Sequence, residues 1–241
     1  MDNDRFKGRF LGVLGGMGPM AGAAFMARLI ALTPGVYDQQ HVPVILWSDP
    51  RVPDRPAGYA KQGVDPLPWM QNGVSHLVRA GAQAIVIPCN TAHLWYEPLA
   101  ATSGVPILHI VQAVIDDLRR QGIDRGRIGV MGTATTLKSR LYQSALQAQG
   151  YEWIIPVGTQ LEQYCADSIR QVKMNRLDLA YTPAVEVVAD LRRHGADAVV
   201  LGCTELPLAI PHERRAELGI AMTDSIDALA LAALEWHGRG G

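Results

Sequence analysis

The chain has 241 residues, 48% hydrophobic and 19% charged, with 22 Lys plus Arg against 23 Asp plus Glu and a formal net charge of −1. So even a balance, with no Lys/Arg stripe, leaves no electrostatic footprint for nucleic acid or an anionic membrane surface. Three scattered cysteines are too few for a disulfide framework and lack metal-ligand spacing, so free thiols and no bound metal are expected.

In chain order, the polar start (Met1, Asp2, Asn3, Asp4, Arg5) and the glycine- and proline-broken apolar stretch behind it fit neither a signal peptide nor a membrane span. A cytoplasmic protein is therefore expected. Apolar, β-branched runs at residues 9–14, 42–47, 83–87, 106–108, 127–131, 152–155, 197–201 and 220–222 read as strands. Amphipathic stretches such as 64–80, 111–120, 161–170 and 183–194 fill most gaps between them. Alternation of this kind predicts βα units and a parallel sheet in each of two halves.

Two halves are also what internal similarity predicts. Gly12-Val13-Leu14-Gly15 resembles Gly129-Val130-Met131-Gly132 at an offset of 117, and the strand ending at Cys89 resembles the one ending at Cys203 at an offset of 114. The run entering His109-Ile110 resembles the run entering Asp224-Ser225 at an offset of 115. Near-constant spacing is the trace of two copies of one α/β unit. The expected domains are residues 1–109 plus 223–241, carrying Cys89, and residues 110–222, carrying Cys203, with the last segment returning to pack on the first half.

Ligands in open α/β sheets bind beyond the carboxyl ends of strands, so Cys89 and Cys203 are candidates for one shared cleft. A thiol at a helix N-terminus is expected to have a lowered pKa, suited to proton removal; the competing reading is a buried, inert cysteine. Two equivalent thiols facing one small ligand would remove a proton on one face and deliver one on the other, inverting a stereocentre with no cofactor. Asn90, Thr91, Thr133, Thr135, Thr136 and Thr204 cluster at the predicted strand ends as donors for an α-carboxylate. Cys165 lacks both a strand end and a repeat partner and reads as structural.

The Gly15-to-Gly22 turn, with Met17 and Gly18 at its centre and Pro19 suited to open a helix, either receives an anion on its N–H groups or is a plain tight turn. A dinucleotide reading is disfavoured because Asp38 precedes the second strand rather than ending it. Arg55 sits in a proline-stiffened loop, Ser48 to Pro56, where a guanidinium is held for a carboxylate; Arg51 ranks below it. His93, one turn past Cys89, either tunes that thiol or binds backbone. Glu205 either adjusts Cys203 or caps the next turn.

Gly-Gly-Met-Gly-Pro (15–19), Pro-Asp-Arg (53–55), Pro-Cys-Asn-Thr-Ala-His (88–93) and Gly-Cys-Thr-Glu (202–205), in this order, resemble the cofactor-independent aspartate/glutamate racemase superfamily, and within it the aspartate racemases. The resemblance implies two Rossmann-like (flavodoxin-like) three-layer αβα domains related by a pseudo-twofold axis, assembled as a homodimer. It implies two-base catalysis without pyridoxal phosphate, Cys89 serving the D- and Cys203 the L-enantiomer. It assigns Arg55 to the second carboxylate of an acidic amino acid and matches Lys173 to a basic residue on a mobile closing segment. Gly22 and Pro56 stand where the pattern has threonine, which leaves glutamate or another acidic amino acid open. A non-catalytic acidic-metabolite-binding protein and a thiol redox protein are the alternatives of other classes.

Overall fold

The computed structural model describes residues 8–239; residues 1–5, read above for a targeting signal, lie outside them. In the first half β1 (Phe10–Gly15), α1 (Pro19–Leu32), β2 (Val44–Ser48), α2 (Arg55–Tyr59), α3 (Leu67–Arg79), β3 (Ala82–Val86), α4 (Tyr96–Ser103), β4 (Ile107–Leu108) and α5 (Ile110–Arg120) follow in order. The second half runs β5 (Arg127–Met131), α6 (Ala134–Lys138), α7 (Leu141–Ala148), β6 (Glu152–Ile154), α8 (Ala166–Lys173), α9 (Leu177–Arg193) and β7 (Ala198–Leu201), then α10 (Leu206–Ala209), α11 (His212–Arg215), β8 (Ala221–Asp224) and α12 (Ser225–Gly238).

Every strand pairs in parallel. The two sheets have the orders β2-β1-β3-β4 and β6-β5-β7-β8, one topology written twice. Equivalent contacts recur as well. A Cβ on Gly12 would lie 3.3 Å from Leu77 Cβ and 2.9 Å from Ala82 Cβ, and one on Gly129 3.3 Å from both Leu191 Cβ and Ala196 Cβ. In each half the bare first strand lets the helix that leads into the third strand, α3 or α9, pack close.

Helical faces follow the apolar periodicity. In α3 the residues Met70, Gly73, Val74 and Leu77 are buried, a stripe at i, i+3, i+4 and i+7, while Asp65 Oδ1 accepts from Leu67 N–H at 3.0 Å at the helix start. The helix expected over 183–194 begins earlier, at Leu177, with Pro183 inside it. Its buried stripe already includes Ala180 and Ala184, and packing against α8 overrides the proline as a start signal. The helix expected over 161–170 opens with a π-helical turn, Gln160–Cys165, before α8.

One apolar cluster runs from the α1 face of the first sheet (Leu11, Val13, Phe25) through α5 and α12 (Val114, Leu118, Ile226, Leu229) into the second sheet. A second cluster (Leu14, Met70, Leu77, Ile85, Ile87) fills the α3 face. Helix α12 lies against both α1 and α5. That contact is reinforced by charge: Arg28 on α1 donates to both carboxylate oxygens of Asp227 at 2.6 and 2.8 Å, and His212 Nε2 approaches Asp227 at 2.9 Å.

Burial opposes ionisation of Asp227, but its hydrogen bonds from His212 and Arg28 outweigh burial and hold the carboxyl below the usual carboxylate range. A depressed folded-state pKa stabilises above the unfolded pKa and is lost as the pH falls. Asp227→Asn is therefore expected to lower Tm at pH 7 by about 4–8 °C, for a loss of about 2 kcal/mol. In thermal melts the gap from the unsubstituted protein should narrow below about pH 4.

Candidate active site

Strand β3 ends at Val86, and Cys89 follows in a tight turn in which its N–H donates to Ile87 O at 2.7 Å. Strand β7 ends at Leu201, where Gly202 N–H donates to Met131 O at 2.8 Å and docks the Cys203 loop onto β5. The two sulfur-bearing residues thus occupy equivalent strand ends, 6% and 5% exposed, and both are free thiols. Cys165 is free too, but its Sγ donates to Gly132 O at 3.4 Å and burial pushes it up to about 11, as befits a structural thiol.

The lowered thiol pKa expected from helix N-termini is not what the site presents. Burial pushes Cys89 up, aided by Glu205 and opposed by Arg55, the Ala92 N–H and Lys173. Cys203 is pushed up further, by burial and then by Glu205, whose Oε2 accepts from Sγ at 3.0 Å. The physical reason is that only a short 3-10 turn (Thr91–Trp95) follows Cys89 and only four-residue α10 follows Cys203. Dipoles that small do not match the desolvation of a thiolate. Arg55 acts on Cys89, whereas Lys173 and Glu205 act on both sulfurs, so the surroundings of the two thiols overlap.

Arg55 opens α2 behind its N-cap Asp54, whose Oδ1 accepts from Ala57 N–H at 2.8 Å; Pro56 fills the first turn. Its Nη1 donates to Val52 O and Pro53 O, both at 3.0 Å, which fixes the guanidinium plane. Among the described residues its Nε is buried without a partner, an open donor on a rigid fork that suits a carboxylate. Arg51 is instead turned outward onto Asp49, with contacts of 2.8 and 2.9 Å. Lys173 ends α8 and is exposed.

Met17 is buried, and Gly18 is the N-cap of α1 with no side-chain cap. A Cβ on Gly18 would stand 3.7 Å from Glu205 Oε1, so the glycine-rich turn reaches the carboxylate beside Cys203. Gly16 has φ +91°, and a Cβ there would lie 2.3 Å from Asp49 O. Only glycine permits this approach, which braces the loop carrying Arg55.

The hydroxyl and amide candidates form a seam between the halves. Thr91 Oγ1 lies 3.1 Å from Thr133 Oγ1 and 3.0 Å from Thr136 Oγ1, and Thr133 lies 2.9 Å from Thr136. Tyr142 donates to Asn90 Oδ1 at 2.6 Å, and Asn90 Nδ2 donates to Ser225 Oγ at 2.8 Å. Thr204 donates to Glu205 at 3.4 Å. Thr135 is half-buried beside this seam, without a side-chain hydrogen bond among the described residues. Tyr142 and Ser225 were not singled out from sequence as site residues, although Ser225 lies in a repeat match. His93 spends both ring nitrogens on backbone, Nδ1 on Cys89 O at 2.9 Å and Nε2 accepting from Ile110 N–H at 3.2 Å. Burial pushes it down to about 3, so it is a neutral brace.

Among the described residues, His212, Asp224 and Asp227 are the one cluster spaced to hold a metal ion. Arg215 sits on Asp224 at 2.7 Å and Arg28 on Asp227, so guanidinium groups already neutralise its carboxylates. No described helix is long and apolar enough to cross a membrane.

Twin parallel α/β units with a free thiol just past the same strand end of each define a class: α/β proteins built from two equivalent sheets with matched cysteines. The Asp/Glu/Hydantoin racemase family model matches residues 14–233, and the chain belongs to that family. The "Broad specificity amino-acid racemase RacX" of Bacillus subtilis is 27% identical over 210 residues, 84% of this chain and 88% of that protein. A glutamate racemase of Deinococcus radiodurans is 32% identical over 176 residues, 70% of this chain and 58% of that protein. Among solved structures, Picrophilus torridus aspartate racemase superposes with a TM-score of 0.85 at 30% identity, over 96% of this chain and 95% of that one.

Gly16→Ala is expected to displace the Asp49 backbone and with it the Arg55 loop. In steady-state assays, KM for an amino-acid substrate should rise by about tenfold or more, while circular dichroism of the fold stays unchanged.

Proposed function

We propose that the chain racemises an acidic amino acid, aspartate foremost, by two-base proton transfer between Cys89 and Cys203 without pyridoxal phosphate. The observation that carries this reading is the pairing of two buried free thiols at equivalent strand ends with the unspent Nε of Arg55. One thiolate takes the α-proton and becomes a thiol. The carbanion so formed is protonated on its opposite face by the other thiol, which becomes the thiolate. The two sulfurs exchange roles at each turnover, and nothing else is consumed.

A thiolate is a modest base toward a carbon acid, so the developing charge needs donors. Arg55 supplies one set toward a carboxylate, and Lys173 places a positive charge within reach of both sulfurs. Glu205, accepting from Cys203 Sγ at 3.0 Å, holds that thiol in the protonated form that delivers a proton. Aspartate is favoured by Arg55 on its short rigid loop and by the likeness to the Picrophilus aspartate racemase. The Deinococcus relative makes glutamate the competing substrate. A protein that only bound the ligand would leave the α-hydrogen untouched.

The deciding experiment is proton NMR of L-aspartate and L-glutamate with reduced, cofactor-free protein in D₂O. Loss of the α-hydrogen signal, with D-product by chiral chromatography, is expected for aspartate; persistence of both signals would overturn the proposal. Cys89→Ala and Cys203→Ala should each lower racemisation in both directions by about 10²–10⁴-fold. Arg55→Ala should lower kcat/KM for aspartate by about 10- to 100-fold and spare a neutral amino acid. Because burial raises both thiols, the thiolate fraction grows with pH, and kcat/KM should climb from pH 7 toward 9.

A further inference from the structure

Tyr142 on α7 is fully buried and touches the neighbours of both proposed bases. Its hydroxyl donates to Oδ1 of Asn90, the residue after Cys89, at 2.6 Å. Its ring lies on Gly202, the residue before Cys203: a Cβ there would stand 2.9 Å from ring Cε2 and 3.4 Å from Cδ2. Asn90 passes the link on to Ser225 Oγ at 2.8 Å, and Ser225 to Leu201 O, the last residue of β7, at 3.2 Å. One rigid side chain with two torsions therefore bridges the strand-end turns of the two halves.

We propose that Tyr142 is a positioning residue that fixes how far apart Cys89 and Cys203 stand, its hydroxyl holding one turn and its ring the other. The inference rests on the two-thiol reading above. A proton relay across a carbon atom tolerates little misplacement, because error of about 1 Å costs about 100-fold in rate. A buried phenol is well suited to such a task. Its ring has no alternative packing at this density, and its hydroxyl satisfies an amide oxygen that would otherwise be buried unpaired.

The test is Tyr142→Phe, which removes the hydroxyl and keeps the ring on Gly202. With folding checked by thermal melt, the expected result is a fall in kcat of about tenfold or more with KM within about twofold. Replacing Tyr142 with 4-aminophenylalanine, which restores a donor at the ring's far end, should recover most of that loss; it also serves if the Phe variant does not fold. Adding Asn90→Ala to Tyr142→Phe should deepen the fall in kcat by less than the product of the two single losses, since both break one link. Unchanged kcat in the folded Phe variant, or a loss that the donor-bearing side chain does not rescue, overturns the proposal.

A readout independent of turnover separates this inference from the functional one. The ratio of iodoacetamide alkylation at Cys89 to that at Cys203, read by peptide mass spectrometry, should shift at least about threefold in Tyr142→Phe. If wild-type protein leaves every α-hydrogen in place, the racemase reading falls, and an unchanged alkylation ratio then rejects Tyr142 as well.

Discussion

The arrangement depends on a strip of buried hydrogen bonds under the strand ends. There Asn90 and Thr91, from the turn after β3, meet Thr133, Thr136, Tyr142 and Ser225, which belong to elements of the second half or follow β8. Each of these groups, left unpaired, would cost about 1–3 kcal/mol. The two halves therefore cannot slide against each other without several such costs arising at once, whereas an apolar contact of equal area would resist sliding far less. The apolar cluster through α1, α5 and α12 holds the halves together; the polar strip decides their register. A site built from one residue of each half needs the second property more than the first.

Burial then sets the chemistry. Taking two thiols out of water raises both, so the site begins with its sulfurs biased toward the neutral form. Arg55 and Lys173 pull Cys89 back toward ionisation, Lys173 does the same for Cys203, and Glu205 resists at both. The cations that suit a dicarboxylate ligand are thus the same groups that favour a thiolate. In the proposed reaction, recognition of the ligand's charge and activation of the base would draw on one set of side chains.

Much of this was legible in the residues. Buried parallel strands declare themselves as β-branched runs, and the recurrence of one pattern about 115 residues on located both cysteines. The prolines on both sides of Arg55 mark a restricted segment in the sequence, and the structure tethers its guanidinium there to Val52 O and Pro53 O. What could not be read was anything made by contacts remote in sequence. Tyr142 meets Asn90 from 52 positions away, and Ser225 meets it from 135, so no local pattern joins them. The sequence presents Thr133 and Thr136 as donors for a ligand, yet they hydrogen-bond mainly with Thr91 and each other. The thiol pKa was misjudged for a related reason: a helix start is a local feature, whereas burial is a property of the whole fold.

The duplication also hides an asymmetry that bears on the proposed reaction. Both halves share strand order, glycine positions and thiol placement, yet the charged group acting most strongly on Cys89 is the cation Arg55, and on Cys203 it is the carboxylate Glu205. Even with equal surroundings the two sulfurs would titrate in two steps, because the first negative charge raises the second thiol, but neither would be preferred as the thiolate. Unequal surroundings favour Cys89 as the thiolate and Cys203 as the thiol of the pair that the proposed two-base inversion uses. The enantiomers have equal free energies, so kcat/KM must match in the two directions whatever the site does. The inequality between the sulfurs therefore bears on kcat and KM separately, as a difference in how tightly each enantiomer is held before its proton leaves.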